Sequence, residues 1–138
     1  MRRRRFRLIE HTADAGIIAY GDNLAEAFGN AAYGLFSIIS EMKKVRAVES
    51  LQVEAAADDI DGLLFEWLNI LIYTFDVEAL LFKRFDICEF NERELKAVCY
   101  GERYDSARHQ LRTGVKAATY HLLKVDKENN QVQVIFDV

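Results

Sequence analysis

The sequence predicts an α+β protein, with two amphipathic helices packed on mainly antiparallel β-sheet in the order ββαβαββββ. Two observations carry that prediction. Two segments place apolar residues at three- and four-residue steps, and beyond the second of them period-two patterns take over. Those later runs come in neighbouring pairs joined by short polar turns, as antiparallel hairpins do. Proline is absent, which excludes a proline-kinked helix or a cis-proline turn.

Residues 5–10 and 15–20 are short and apolar-rich, and the polar stretch His11-Thr12-Ala13-Asp14 divides them into two strands. Asp22-Asn23 offers a helix cap, with Glu26 three residues after Asn23 in capping-box spacing. The stripe Leu24, Ala27, Phe28, Ala31, Leu35, Ile38, Ile39 then predicts a helix over 24–41. Residues 45–57 alternate in their second half (Leu51, Val53, Ala55) and read as a strand. Asp58, Asp59 and Asp61 follow where a helix would start, and carboxylates there oppose the positive end of the macrodipole. The stripe Ile60, Leu63, Leu64, Trp67, Leu68, Leu71, Ile72, Phe75 defines that second helix. Residues 81–90 and 94–104 pair across Asn91-Glu92-Arg93. A polar loop, 105–112, holds His109, and residues 115–125 and 131–136 form a last hairpin.

One domain spans residues 1–138, since 138 residues support a single core and little more. With 51% hydrophobic and 29% charged residues the composition is that of an ordinary globular protein, not of a disordered or collagen-like chain. No window reaches the apolar length of a membrane span, and no apolar stretch follows the first arginines as in a signal peptide; the expectation is a cytoplasmic protein without a membrane partner. The net charge of −4 is unevenly distributed. Arg2, Arg3, Arg4, Arg5 and Arg7 supply five of the eighteen cations, leaving thirteen against twenty-two carboxylates elsewhere, a balance of −9. An acidic body does not suit a protein that grips nucleic-acid backbone, so any RNA contact is expected to be weak or indirect. It suits cations, or a basic partner surface. The arginine run reads as a solvated start to the first strand. Cys88 and Cys99 have no metal-ligand spacing and read as reduced thiols.

Three places hold polar residues that packing alone does not require. They are Asp14 with His11 in the first bend, Lys116 in the strand 115–125, and Asp137-Val138 at the end. Strand alternation would put Lys116, Ala118 and Tyr120 on one face and His121 on the other. Asp14, Asp137 and the carboxylate of Val138 could offer three or more oxygens, the donor set that hard cations such as Ca²⁺ or Mg²⁺ require. Each residue also has a bland reading, as a bend cap, a solvated lysine or a frayed end. No glycine-rich phosphate loop and no activated serine or histidine nucleophile is present.

The block Phe-Arg-Leu-Ile-Glu-His-Thr-Ala-Asp-Ala-Gly-Ile (6–17) resembles the opening signature of the archease family. Tyr20-Gly21-Asp22-Asn23-Leu24, the helix around Leu63–Leu68, Thr113–His121 and the terminal Val134–Val138 continue the resemblance in order and over the whole length. The resemblance implies an archease-like fold and a non-enzymatic activator of an RtcB-type RNA ligase. Such an activator promotes guanylylation of the ligase and multiple turnover in tRNA splicing and RNA repair. It further implies a Ca²⁺ or similar site on Asp14, Asp137 and Val138 and a functional role for Lys116; His11, in the same bend as Asp14, is a candidate to stand behind those ligands. Two other readings stand beside it: a metal-dependent phosphoesterase or nuclease using Asp14 and Asp137, and a chaperone-like RNA-processing accessory protein.

Overall fold

The computed structural model describes residues 4–10 and 14–138. The first hairpin forms as expected: β1 (Phe6–Glu10) runs antiparallel to β2 (Asp14–Tyr20), with Phe6 opposite Ala19 and Glu10 opposite Ala15. At its start Arg5 lies over the Tyr33 ring, 4.7 Å from the centroid, and Arg7 donates to the Tyr20 hydroxyl at 3.0 Å. These two arginines therefore lie along aromatic surface as well as in water.

Helix α1 (Leu24–Ile39) starts where the capping pattern placed it. Asn23 Oδ1 accepts the Glu26 N–H at 2.8 Å, and Glu26 reaches back to the Asp22 N–H. A single 3₁₀ turn (Met42–Lys44) leads to β3 (Glu49–Ala56). Helix α2 (Ile60–Glu78) is capped by Asp59, whose Oδ1 accepts the Gly62 N–H at 2.7 Å. It ends in a left-handed residue, Ala79.

The remaining strands are β4 (Leu80–Phe90), β5 (Glu94–Arg103), β6 (Ala117–Ala118), β7 (Lys124–Asp126) and β8 (Gln131–Asp137). The single strand expected over 115–125 is thus two short ones, and five strands follow α2. Thr119 makes the last contact of the first with β8, its backbone N–H and its hydroxyl both bonding to the Ile135 carbonyl. Tyr120 then turns away to stack on Phe65, the ring centroids 4.2 Å apart and the planes 13° off parallel. Leu122 sits at φ 56° within that turn. Lys116 consequently precedes the strand instead of sharing a face with Ala118: its side chain is exposed while Ala118 is buried.

Two antiparallel sheets result. One has the order β1-β2-β8-β6, with β7 also pairing β8, and the other is β3-β5-β4. Both helices lie between the sheets, α1 packing on β2 and β4, and α2 on β3 and β6. The core between the layers is built on Trp67, Phe28, Phe36, Phe82 and Phe136, all fully buried. Trp67 satisfies its indole N–H by donating to the Phe28 carbonyl at 3.0 Å, which ties the two helices together. Gly101 is required where β4 shifts register, since a Cβ there would stand 1.8 Å from the Leu81 carbonyl oxygen. No helix among the described residues is long and apolar enough to cross a membrane.

Candidate functional site

The two carboxylates singled out in the sequence are 123 residues apart in the chain and adjacent in the sheet. The register of β2 on β8 sets Asp14 directly opposite Asp137, so both side chains leave the same face of the sheet. Their neighbours Ala15 and Phe136 point inward to the core, which is what turns the aspartates out. On the other flank of Asp137 stands Ala117, and the Lys116 N–H donates to the Asp137 carbonyl at 2.8 Å. Asp14, Asp137 and Lys116 thus converge at one end of the sheet. Val138 follows Asp137 directly and is 39% exposed. His11 lies outside the described residues.

Like charges directly opposite one another on paired strands are destabilising. Asp14 and Asp137 hold that arrangement in a half-buried and an exposed position respectively, on an all-oxygen donor set suited to a hard cation. Among the described residues no three His, Cys, Asp or Glu side chains gather closely enough to ligate a metal on their own. Asp14 also lines a cavity of ≈ 410 Å³ between the first hairpin, the end of α1 and the loop at Arg112-Thr113.

That loop is held in place by several bonds, none of which the sequence reading anticipated. The Arg112 and Thr113 N–H groups donate to Ile39 and Ile38 carbonyls, satisfying acceptors that the end of α1 leaves open. The Ser40 hydroxyl and the Glu41 N–H both bond to the Gln110 carbonyl, and Arg112 pairs with Glu41. Upstream, Glu102 is 7% exposed and accepts from the Arg46 N–H, Arg108 and His109. His109 Nδ1 accepts the Asp105 N–H at 2.8 Å, so its proton sits on Nε2, facing Glu102 Oε2 at 3.0 Å. His109 is therefore a structural link and is absent from the tip. From α2, Asn69 accepts the Ala118 N–H at 2.8 Å and so holds β6 on its open edge. A polar residue beside an apolar helical stripe, Leu68-Asn69-Ile70, is the one signal that could have disclosed that contact.

Comparison with known proteins adds the following. The model of the Archease protein family (MTH1598/TM1083) matches residues 6–138. The chain is 38% identical over 136 residues to the protein archease of Sulfurisphaera tokodaii, with 97% of each chain covered. It is 41% identical over 127 residues to that of Pyrococcus abyssi, covering 90% of this chain and 89% of the other. Its fold is similar to the solution structure of protein 1598 from Methanobacterium thermoautotrophicum, at a TM-score of 0.80 and 32% identity over 97% of this chain and 99% of that one. A crystal structure of an archease from Thermotoga maritima, described as a possible chaperone, shares the fold at a TM-score of 0.65 and 22% identity. That match spans 100% of this chain and 98% of that one.

Proposed function

The chain belongs to the archease family, and on that premise we propose that it is a non-enzymatic activator of an RtcB-type RNA ligase, acting in the cytoplasm through a cation-binding tip. In this reading it promotes guanylylation and turnover of the ligase in tRNA splicing and RNA repair. The observation that supports it most is the register that sets Asp14 opposite Asp137 with Lys116 bonded alongside. Two facing carboxylates at a sheet end repel each other, and a cation standing between them relieves that repulsion. Asp14, Asp137 and the carboxylate of Val138 would hold Ca²⁺ or another hard divalent ion, with water completing the shell. Bound there, the ion supplies positive charge that can sit against phosphate oxygens in the ligase. Lys116 adds an exposed cation beside the same face, and the 105–116 loop, fastened to the end of α1, holds that lysine in position.

Two measurements test the reading. The first is a ligation assay at limiting ligase, with and without this protein. The second is calorimetric titration of Ca²⁺ into the parent, Asp14→Ala, Asp137→Ala and a form with one residue added after Val138. The expected result is higher turnover with the parent, and lower Ca²⁺ affinity and lower activation in each of the three altered forms. Lys116→Ala should fold and bind Ca²⁺ but activate poorly, since exposed substitutions change stability by only about 0.5 kcal/mol. Equal turnover with and without the protein would overturn the proposal. So would an intrinsic hydrolase rate that disappears in Asp14→Ala.

A further inference from the structure

One stretch of this chain carries negative charge alone. From Asp58 to Phe82 there are six carboxylates (Asp58, Asp59, Asp61, Glu66, Asp76, Glu78) and no lysine or arginine. Helix α2 also exposes apolar side chains on the side turned away from both sheets. Ile70, Tyr73 and Val77 follow one another at three- and four-residue steps, with Tyr73 66% and Val77 61% exposed. Glu66 and Asp76 lie along the same side. On the flank of the helix toward β6, Phe65 carries the Tyr120 ring stacked on it, Tyr120 being 58% exposed. The Tyr120 hydroxyl is held above its ordinary range, by desolvation first and then by the Asp59, Glu66 and Asp61 carboxylates. The carboxylates at the N-terminal end of α2 therefore act on the Tyr120 ring.

We propose that this face of α2 is a docking surface for a protein that presents lysines and arginines around an apolar patch. That partner is the ligase if the preceding reading holds, and the identification rests on it. Charge decides among the occupants. A nucleic acid or an anionic membrane would meet Glu66 and Asp76 with no lysine or arginine on the helix to offset them, and the same face of a second copy would bring the same two charges. A basic protein surface gains from both: the carboxylates steer the encounter, while Tyr73 and Val77 supply the apolar anchors on which affinity depends. The position suits the purpose as well. Asn69 on this helix bonds Ala118, two residues from Lys116, so a partner lying on α2 is brought alongside the Asp14–Asp137 tip.

The test is binding of the purified ligase to the full chain, measured by fluorescence anisotropy at low and at physiological salt. One variant carries Tyr73→Ala with Val77→Ser, and another carries Glu66→Lys with Asp76→Lys. Circular dichroism and Ca²⁺ titration of each establish that the fold and the tip are intact. Both should weaken binding by about tenfold or more, with activation restored at saturating concentration. The parent should lose affinity as salt rises, and the charge-reversed form should lose much less. Parent-like affinity in both variants, beside a parent that does bind the ligase, overturns the docking face and leaves the activator reading intact. A parent that does not bind the ligase at all overturns the activator reading, and the partner named here falls with it.

Discussion

Glu102 is surrounded by donors only. Its two oxygens accept from the Arg46 N–H, the Arg108 guanidinium and His109 Nε2, at a position 7% exposed. Desolvation pushes its carboxyl upward, and the bonds from His109 and Arg46 together with the Arg108 charge outweigh it, so the folded-state value lies below the ordinary glutamate range. A depressed carboxylate contributes stability that is fully present above its unfolded value and is lost as pH falls through the folded one. The parent should therefore lose melting temperature steeply below about pH 4.3, and Glu102→Gln should show a shallower acid limb. At neutral pH that variant should be destabilised by about 2 kcal/mol, because the glutamine NH₂ must turn toward at least one donor. Thermal melts across pH check both statements. Identical acid limbs would show that Glu102 does not carry this dependence.

At the scale of the element, the end of α2 stands out. The helix closes on Ala79 at φ 56°, a conformation that glycine adopts without strain and that any residue with a Cβ resists. The Ala79 N–H bonds the Phe75 carbonyl at 2.8 Å and its own carbonyl accepts from the Tyr104 N–H, so the backbone there is fixed from both sides. Ala79→Gly should thus stabilise the protein by about 1 kcal/mol and raise the melting temperature by about 4 °C. A drop in melting temperature would mean that the gain in unfolded-chain freedom outweighs the relief of strain.

For the whole molecule, the tip joins distant parts of the chain: the start of β2, the end of β8 and the residue before β6. A cation held by the first two only when they are assembled stabilises the folded state by mass action, about 2.7 kcal/mol at a concentration one hundred times its Kd. Ca²⁺ should accordingly raise the melting temperature of the parent, and a chelator should reverse the rise. Asp137→Ala should show neither effect. An equal Ca²⁺ response in that variant, read by differential scanning calorimetry, would place the bound ion elsewhere on the acidic surface.

Both helices, the cap of the first, the acidic start of the second and the paired strands 81–90 and 94–104 were legible in the sequence, because period, capping and hairpin turns are local and depend on residues a few positions apart. The blocks holding Asp14, Lys116 and Asp137 were legible for a different reason, their resemblance to a known family. Non-local contacts decided the rest. No local pattern tells that β2 pairs with β8, and that pairing alone sets Asp14 opposite Asp137. Nor does the alternation over 115–125 show that Tyr120 leaves the sheet to stack on Phe65, which breaks the strand in two, or that Lys116 lies before β6 with its N–H bonded to Asp137. Glu102, Arg108 and His109 read as a polar strand end and a polar loop, and only their burial against Arg46 makes them a fastening. Periodicity reports which face of an element is apolar. Which elements meet, and with what register, follows from packing two helices between two sheets around Trp67 and Phe28, a solution that exists only for the chain as a whole.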